Sequence, residues 1–166
     1  MKRTPALFAL ALALGLTGCG LKPLYGGGGS GAAASSLSAV AVGPIDDRAG
    51  WLLRNALVDR LGGEHDSPSY RLDVVIDDDI TRFGIRGDAA ATRERRTLRA
   101  RYQLVAVDTG LVLLDATAGS DAGIDITSSE YATVAAEQTA VERLSQEVAD
   151  DIVARVALYF SRQAEQ

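Results

Sequence analysis

Two long stretches of the chain alternate apolar and polar residues with period two. In the first, Tyr70, Leu72, Val74, Ile76 and Ile80 alternate with Arg71, Asp73, Asp77, Asp79 and Thr81. In the second, Leu98, Ala100, Tyr102, Leu104 and Ala106 alternate with Thr97, Arg99, Arg101 and Gln103. Successive side chains of a strand point to opposite faces, so each stretch predicts a strand with one buried and one solvated face. The polar segment Arg86 to Ala91 predicts the turn between them. Asp108-Thr109-Gly110 predicts a second, tighter turn, because glycine supplies positive φ at no steric cost. Leu111 to Ala118 follow as a third strand. A short strand, Leu37 to Val42, precedes them all and is closed by Gly43-Pro44.

Two segments carry helical spacing instead. Leu53, Leu57 and Leu61 recur every four residues, flanked by Trp51, Arg54 and Val58. Asp46 or Asp47 can cap that helix, and Gly62-Gly63 ends it. Trp51 is expected in the core. After a loop from Gly119 to Ser129, Val134, Val141, Leu144, Val148, Ile152, Val156 and Tyr159 form one apolar stripe, which predicts a helix from about Ser129 to Arg162. Thr127 and Glu130 offer a capping box there, with Ser129 as a rival cap. Each helix has one apolar stripe and each strand one apolar face, and these must meet. The expected fold is therefore α+β, with two helices packed on one face of a four-stranded, mostly antiparallel sheet in the order β-α-β-β-β-α. It occupies residues 37–166.

The N-terminus has a different character. Lys2 and Arg3 precede an apolar run from Ala6 to Leu16, and Leu16-Thr17-Gly18-Cys19 follows directly. A basic start, a short apolar core and small residues at its end predict a secretory signal over residues 1–18. The run is shorter than the roughly 20 residues that a spanning helix needs. Leu16 to Cys19 resembles the lipobox of bacterial lipoproteins. That resemblance implies cleavage before Cys19 and a covalent lipid on it. Cys19 is the chain's only cysteine, so no disulfide can form within it. Gly20 stands where an aspartate would signal retention at the inner membrane of enterobacteria, so the rule points to the periplasmic side of the outer membrane. Gly26 to Ser36 contains only Gly, Ala and Ser. With residues 19–25 it reads as a lipidated tether, 19–36, unable to bury a core.

Charge narrows the partners. The chain has 17 basic and 22 acidic residues, and loss of Lys2 and Arg3 leaves a net charge of about −7. An acidic body argues against nucleic acid as the main partner. It does not exclude a local basic patch for an anionic ligand.

With the elements placed, the chain resembles the LptE family of lipopolysaccharide-assembly lipoproteins, most closely its alphaproteobacterial branch. The segments that carry the likeness are Cys19-Gly20-Leu21-Lys22-Pro23-Leu24-Tyr25, Ile45 to Gly50 with Leu53 to Leu57, Phe83-Gly84-Ile85, Thr92-Arg93, Ala100 to Leu104, Tyr131-Ala132, Ala136-Glu137 and Ala157 to Phe160. Trp51 departs from the polar residue expected there, and the glycine tract after Tyr25 is longer than expected. The resemblance implies a non-enzymatic subunit of the lipopolysaccharide translocon. Such a protein plugs the LptD β-barrel, assists its assembly and binds lipopolysaccharide. The rival reading is a lipoprotein accessory of another periplasmic lipid-transport complex.

Seven arginines surround the central hairpin: Arg82, Arg86, Arg93, Arg95, Arg96, Arg99 and Arg101. Arginine can hold a phosphate with two parallel hydrogen bonds, and lipopolysaccharide carries phosphates. Arg86, Arg93, Arg95 and Arg96, near the turn, are the ligand-binding candidates, with a merely solvated tip as the alternative. A turn centred near Gly87-Asp88 puts Asp77 opposite Arg99 and Asp79 opposite Thr97. Arg99 and Arg101 are accordingly expected to pair with acids across the sheet. Asp77-Asp78-Asp79 lacks the glycine-spaced pattern of a calcium loop. His65 sits in a polar loop and reads as solvated. No catalytic constellation, metal site or cofactor motif stands out, apart from the lipid expected on Cys19.

Overall fold

The computed structural model describes residues 32–63, 67–85 and 91–164. Cys19, His65, Arg86 and the turn around Gly87-Asp88 lie outside the described residues. The elements are α1 (Ala32–Leu37), β1 (Val40–Val42), α2 (Asp47–Leu61), β2 (Tyr70–Ile85), β3 (Ala91–Ala106), β4 (Val112–Asp125) and α3 (Glu130–Ala164). They form a four-stranded sheet in spatial order β1-β2-β3-β4. β1 runs parallel to β2, and the other two pairings are antiparallel. This is the expected α+β architecture with a mixed sheet. The parallel pair follows from topology, since the connection from β1 to β2 passes through a helix.

The period-two reading decides which face is covered. Leu72, Val74, Leu98, Ala100, Tyr102, Leu104, Ala118, Ala122 and Ile124 are buried. They share the core with Leu53, Leu57 and Leu61 of α2 and Leu144, Val148, Ile152 and Val156 of α3. α3 packs on β3, β4, α1 and α2. Its 35 residues span about 52 Å, close to the roughly 53 Å of a 16-residue strand such as β2. One helix therefore runs the whole length of the sheet. Arg60 ties the two long helices together through Asp150 at 2.5 Å.

The structure departs from the sequence reading in four places. Residues 32–37 form a helical segment packed on α3, so the fold takes in the end of the Gly/Ala/Ser tract and β1 is only three residues long. Leu37 is buried there as the anchor of that segment. β4 continues to Asp125, through a segment expected to be loop. Its alternation persists there in small residues, Ala118 and Ala122 facing the core and Gly119 and Gly123 facing away, which hydrophobicity alone hides. Trp51 is 60% exposed and not in the core. The buried stripe of α2 runs through Ala49, Gly50, Leu53, Ala56, Leu57 and Leu61, and position 51 lies about 200° around the helix from Leu53. At α3 the rival cap holds: the Ala132 N–H donates to Ser129 Oγ at 3.4 Å.

The C-terminal end of α2 is built as its sequence suggests, and the N-terminal end only in part. Asp46 occupies the N-cap position but its carboxylate makes no capping hydrogen bond, and Gly62 ends the helix in the left-handed region at φ 93°. The Gly63 N–H then returns to the Val58 carbonyl at 2.9 Å, closing a Schellman-type stop.

Candidate functional site

The helices cover one face of the sheet and leave the other bare. Antiparallel register puts Asp77 opposite Arg99 and Asp79 opposite Thr97, as the turn position predicts. On β3 the odd-numbered residues Arg93, Arg95, Arg99 and Arg101 all project from the bare face, where they are exposed. Acidic residues flank this basic stripe on both sides. On β4, Asp125 takes Arg93 at 3.2 Å, Asp121 takes Arg95 at 3.7 Å and Asp115 takes Arg101 at 2.9 Å. On β2, Asp73 takes Arg71 within its own strand at 2.8 Å. Hydrogen bonds from Arg101 and Gln103 hold the Asp115 carboxyl below the usual carboxylate range. Among the described residues no ion pair joins Asp77 to Arg99, although they face each other.

A cleft of about 600 Å³ opens on this face, lined by Asp77, Asp79, Thr81, Phe83, Arg95, Thr97 and Arg99. The Arg95 guanidinium lies 5.7 Å from the Phe83 ring centroid, within cation–π range. The cleft thus offers two guanidinium groups, two carboxylates, two hydroxyls and one aromatic ring.

Arg96 does not belong to this group. Its even position turns it under the helix layer, where it meets Asp78 at 2.5 Å with only 15% and 19% of the two side chains exposed. Its Nη1 donates to the Glu137 carbonyl of α3 at 2.9 Å. The structure therefore brings Arg93 and Arg95 together on the bare face and separates Arg96 from them. Nearby, Arg82 donates to Glu94 Oε1 at 2.6 Å, while Glu94 is 1% exposed and its Oε2 has no hydrogen-bond donor. Sequence reading passes over Glu94 and Glu137. Glu94 occupies a core-facing position of β3, so its charge breaks the strand's alternation, and that was the available signal.

Among the described residues no group of three or more His, Cys, Asp or Glu side chains could hold a metal ion. No helix among them is long and apolar enough to cross a membrane.

Fold and bare face together define a class: small α+β sandwiches with helices on one side only. A candidate lipoprotein of Caulobacter crescentus shares this architecture with a TM-score of 0.63 at 25% identity, covering 78% of this chain and 96% of that one. Rare lipoprotein B of Shewanella oneidensis has the same fold, with a TM-score of 0.57 at 7% identity over 76% of this chain and 98% of its own. A lipoprotein B of Nitrosomonas europaea follows, with a TM-score of 0.56 at 9% identity over 74% and 82%. No curated protein sequence matches the chain. The LptE family model, described as lipopolysaccharide-assembly, matches residues 37–156, and the chain belongs to that family.

Proposed function

We propose that this protein is a lipid-anchored subunit of the lipopolysaccharide translocon, held through Cys19 on the periplasmic side of the outer membrane. Its bare sheet face meets the inner wall of an LptD-type β-barrel, and the protein assists that barrel's assembly and contacts lipopolysaccharide in transit. Membership of the LptE family over residues 37–156 carries this reading. The chemistry of the bare face supports it. The lumen of a transmembrane barrel is polar, unlike its lipid-facing wall. A sheet face of paired arginines and aspartates suits such a lumen and would be expensive to bury in hydrocarbon.

Lipopolysaccharide contact is assigned to Arg93 and Arg95, together with Arg86. Arg93 and Arg95 are exposed and paired with surface carboxylates, Arg95 also lying against the Phe83 ring. Such pairs are worth about 0–1 kcal/mol, so a phosphate can displace their acids. Arg96 is kept by its half-buried partner and supports the fold.

The test is purification of the tagged protein from outer membranes of its native host. Co-isolation of a large β-barrel protein with bound lipopolysaccharide is expected. Recovery of the protein with an inner-membrane or periplasmic lipid-transport assembly instead would refute the proposal.

A further inference from the structure

We propose that the β3–β4 hairpin, Val107 to Val112, rests on the lipid surface as the membrane-facing foot of the protein. The inference rests on the acylation of Cys19 proposed above and adds a second contact to it.

Three observations combine. First, Val107, Leu111 and Val112 are 49%, 62% and 52% exposed, beside one another at one end of the sheet. The backbone closes them together: the Ala106 N–H donates to the Leu111 carbonyl at 3.0 Å and the Gly110 N–H to the Ala106 carbonyl at 2.8 Å. The turn carries a single charge, the exposed Asp108, whose Oδ1 accepts the Thr109 N–H at 2.8 Å.

Second, the chain enters the fold at this end. The Val107 N–H donates to the Ser69 carbonyl at 3.0 Å, and the Ser69 N–H to the Ala39 carbonyl at 3.0 Å. Ala39 lies two residues beyond α1, the first described element.

Third, the tether is too short to present the other end. Twelve residues, Gly20 to Gly31, lie between Cys19 and Ala32, which can reach at most about 45 Å. The 16 residues of β2 carry the arginine-bearing end about 53 Å away. A lipid on Cys19 therefore brings the hairpin, and not the arginines, to the bilayer surface. Other exposed apolar residues, such as Trp51 and Val75, have no such connection to the tether.

The experiment uses the chain from Cys19 onward, which keeps every described residue. Cys19 is coupled to a maleimide phospholipid in vesicles of phosphatidylethanolamine and phosphatidylglycerol. Supplying the anchor chemically separates this test from acylation in the host, which mass spectrometry of the native protein checks independently. Two single-indole forms are compared: the natural chain with Trp51, and Leu111→Trp in a Trp51→Phe background. Both positions are exposed, so folding is preserved, and far-ultraviolet circular dichroism verifies it. Brominated acyl chains are expected to quench the indole at position 111 at least threefold more than Trp51, with a blue-shifted emission. Equal quenching at the two positions would overturn the proposal.

Discussion

Glu137 of α3 lies close enough to the buried Glu94 of β3 for the Glu94 carboxyl to act on that of Glu137. Burial pushes the Glu137 carboxyl above its ordinary value, and the neighbouring Glu94 pushes it further. Arg82 and Arg96 oppose the shift. Two neighbouring carboxylates repel, so proximity to Glu94 favours the protonated form of Glu137. Arg82 on β2 and Arg96 on β3 flank it, and Arg96 is itself paired with Asp78. The base of the arginine hairpin is thus fastened to the first half of α3 through Arg96, which donates to the Glu137 carbonyl.

A pH dependence follows from the Glu137 proton. The folded chain keeps it at pH values where the unfolded chain has released it. The native state therefore binds more protons, and stability falls as pH rises. The contribution is fully present below the ordinary glutamate value of 4.5 and is lost as pH climbs through the raised folded value. Glu137→Gln keeps a donor and removes the titration. Urea midpoints of the natural chain should decline relative to Glu137→Gln from about pH 4 upward. Parallel curves for the two proteins would disprove the raised value of Glu137.

Arg96 and Asp78 make a second prediction. Removing one partner leaves a half-buried charge uncompensated, which costs several kcal/mol in fully buried pairs. With 15% and 19% exposure here, Arg96→Ala or Asp78→Ala should each lower unfolding stability by about 2 kcal/mol. The double variant Arg96→Met with Asp78→Leu should lose less than the sum of the two. Denaturant unfolding of the single and double variants measures this.

Gly50 is fixed by packing. A Cβ there would stand 2.8 Å from Ile45 Cγ2 and 3.0 Å from the Ile45 carbonyl carbon and oxygen. Alanine is favoured over glycine in a helix interior by about 1 kcal/mol, but the clash with backbone outweighs this. Gly50→Ala should destabilise by about 1–3 kcal/mol in thermal or urea unfolding. A gain in stability would show that the Ile45 segment yields.

The arginines divide by face. Arg93→Glu with Arg95→Glu alters exposed side chains only. It should leave the unfolding midpoint within about 0.5 kcal/mol of the natural chain and lower binding to purified lipopolysaccharide at least tenfold. Arg96→Glu should instead lower stability sharply, because it puts like charges beside Asp78. Unchanged binding in the Arg93/Arg95 variant would discard those residues as ligand contacts.

The elements most legible in the sequence were those whose pattern was long and chemically sharp. The alternation through Leu72, Val74 and Ile76 and through Leu98 to Leu104 gave both central strands, and the expected turn position gave their register, down to Asp77 opposite Arg99. The α3 stripe gave a helix within a few residues of Glu130–Ala164, although Val134 at its start is exposed. Legibility failed where small residues carry the structure. Alanine faces the core in β4, and residues 32–37 read AAASSL, so neither the strand's second half nor the first helix shows as hydrophobic periodicity. Grouping Arg96 with Arg93 and Arg95 followed sequence proximity. Strand parity separates Arg96 from both, and the acids that hold it come from β2 and α3, which proximity along β3 cannot reveal.

The most direct measurement is photo-crosslinking in cells from the two faces of the sheet. A photoreactive side chain is placed at Val75 or Thr97 on the bare face, and at Glu142 on the exposed side of α3. The account predicts adducts to a large outer-membrane β-barrel from positions 75 and 97, stronger than from position 142. Barrel adducts absent from both bare-face positions, with the protein properly anchored, would contradict it.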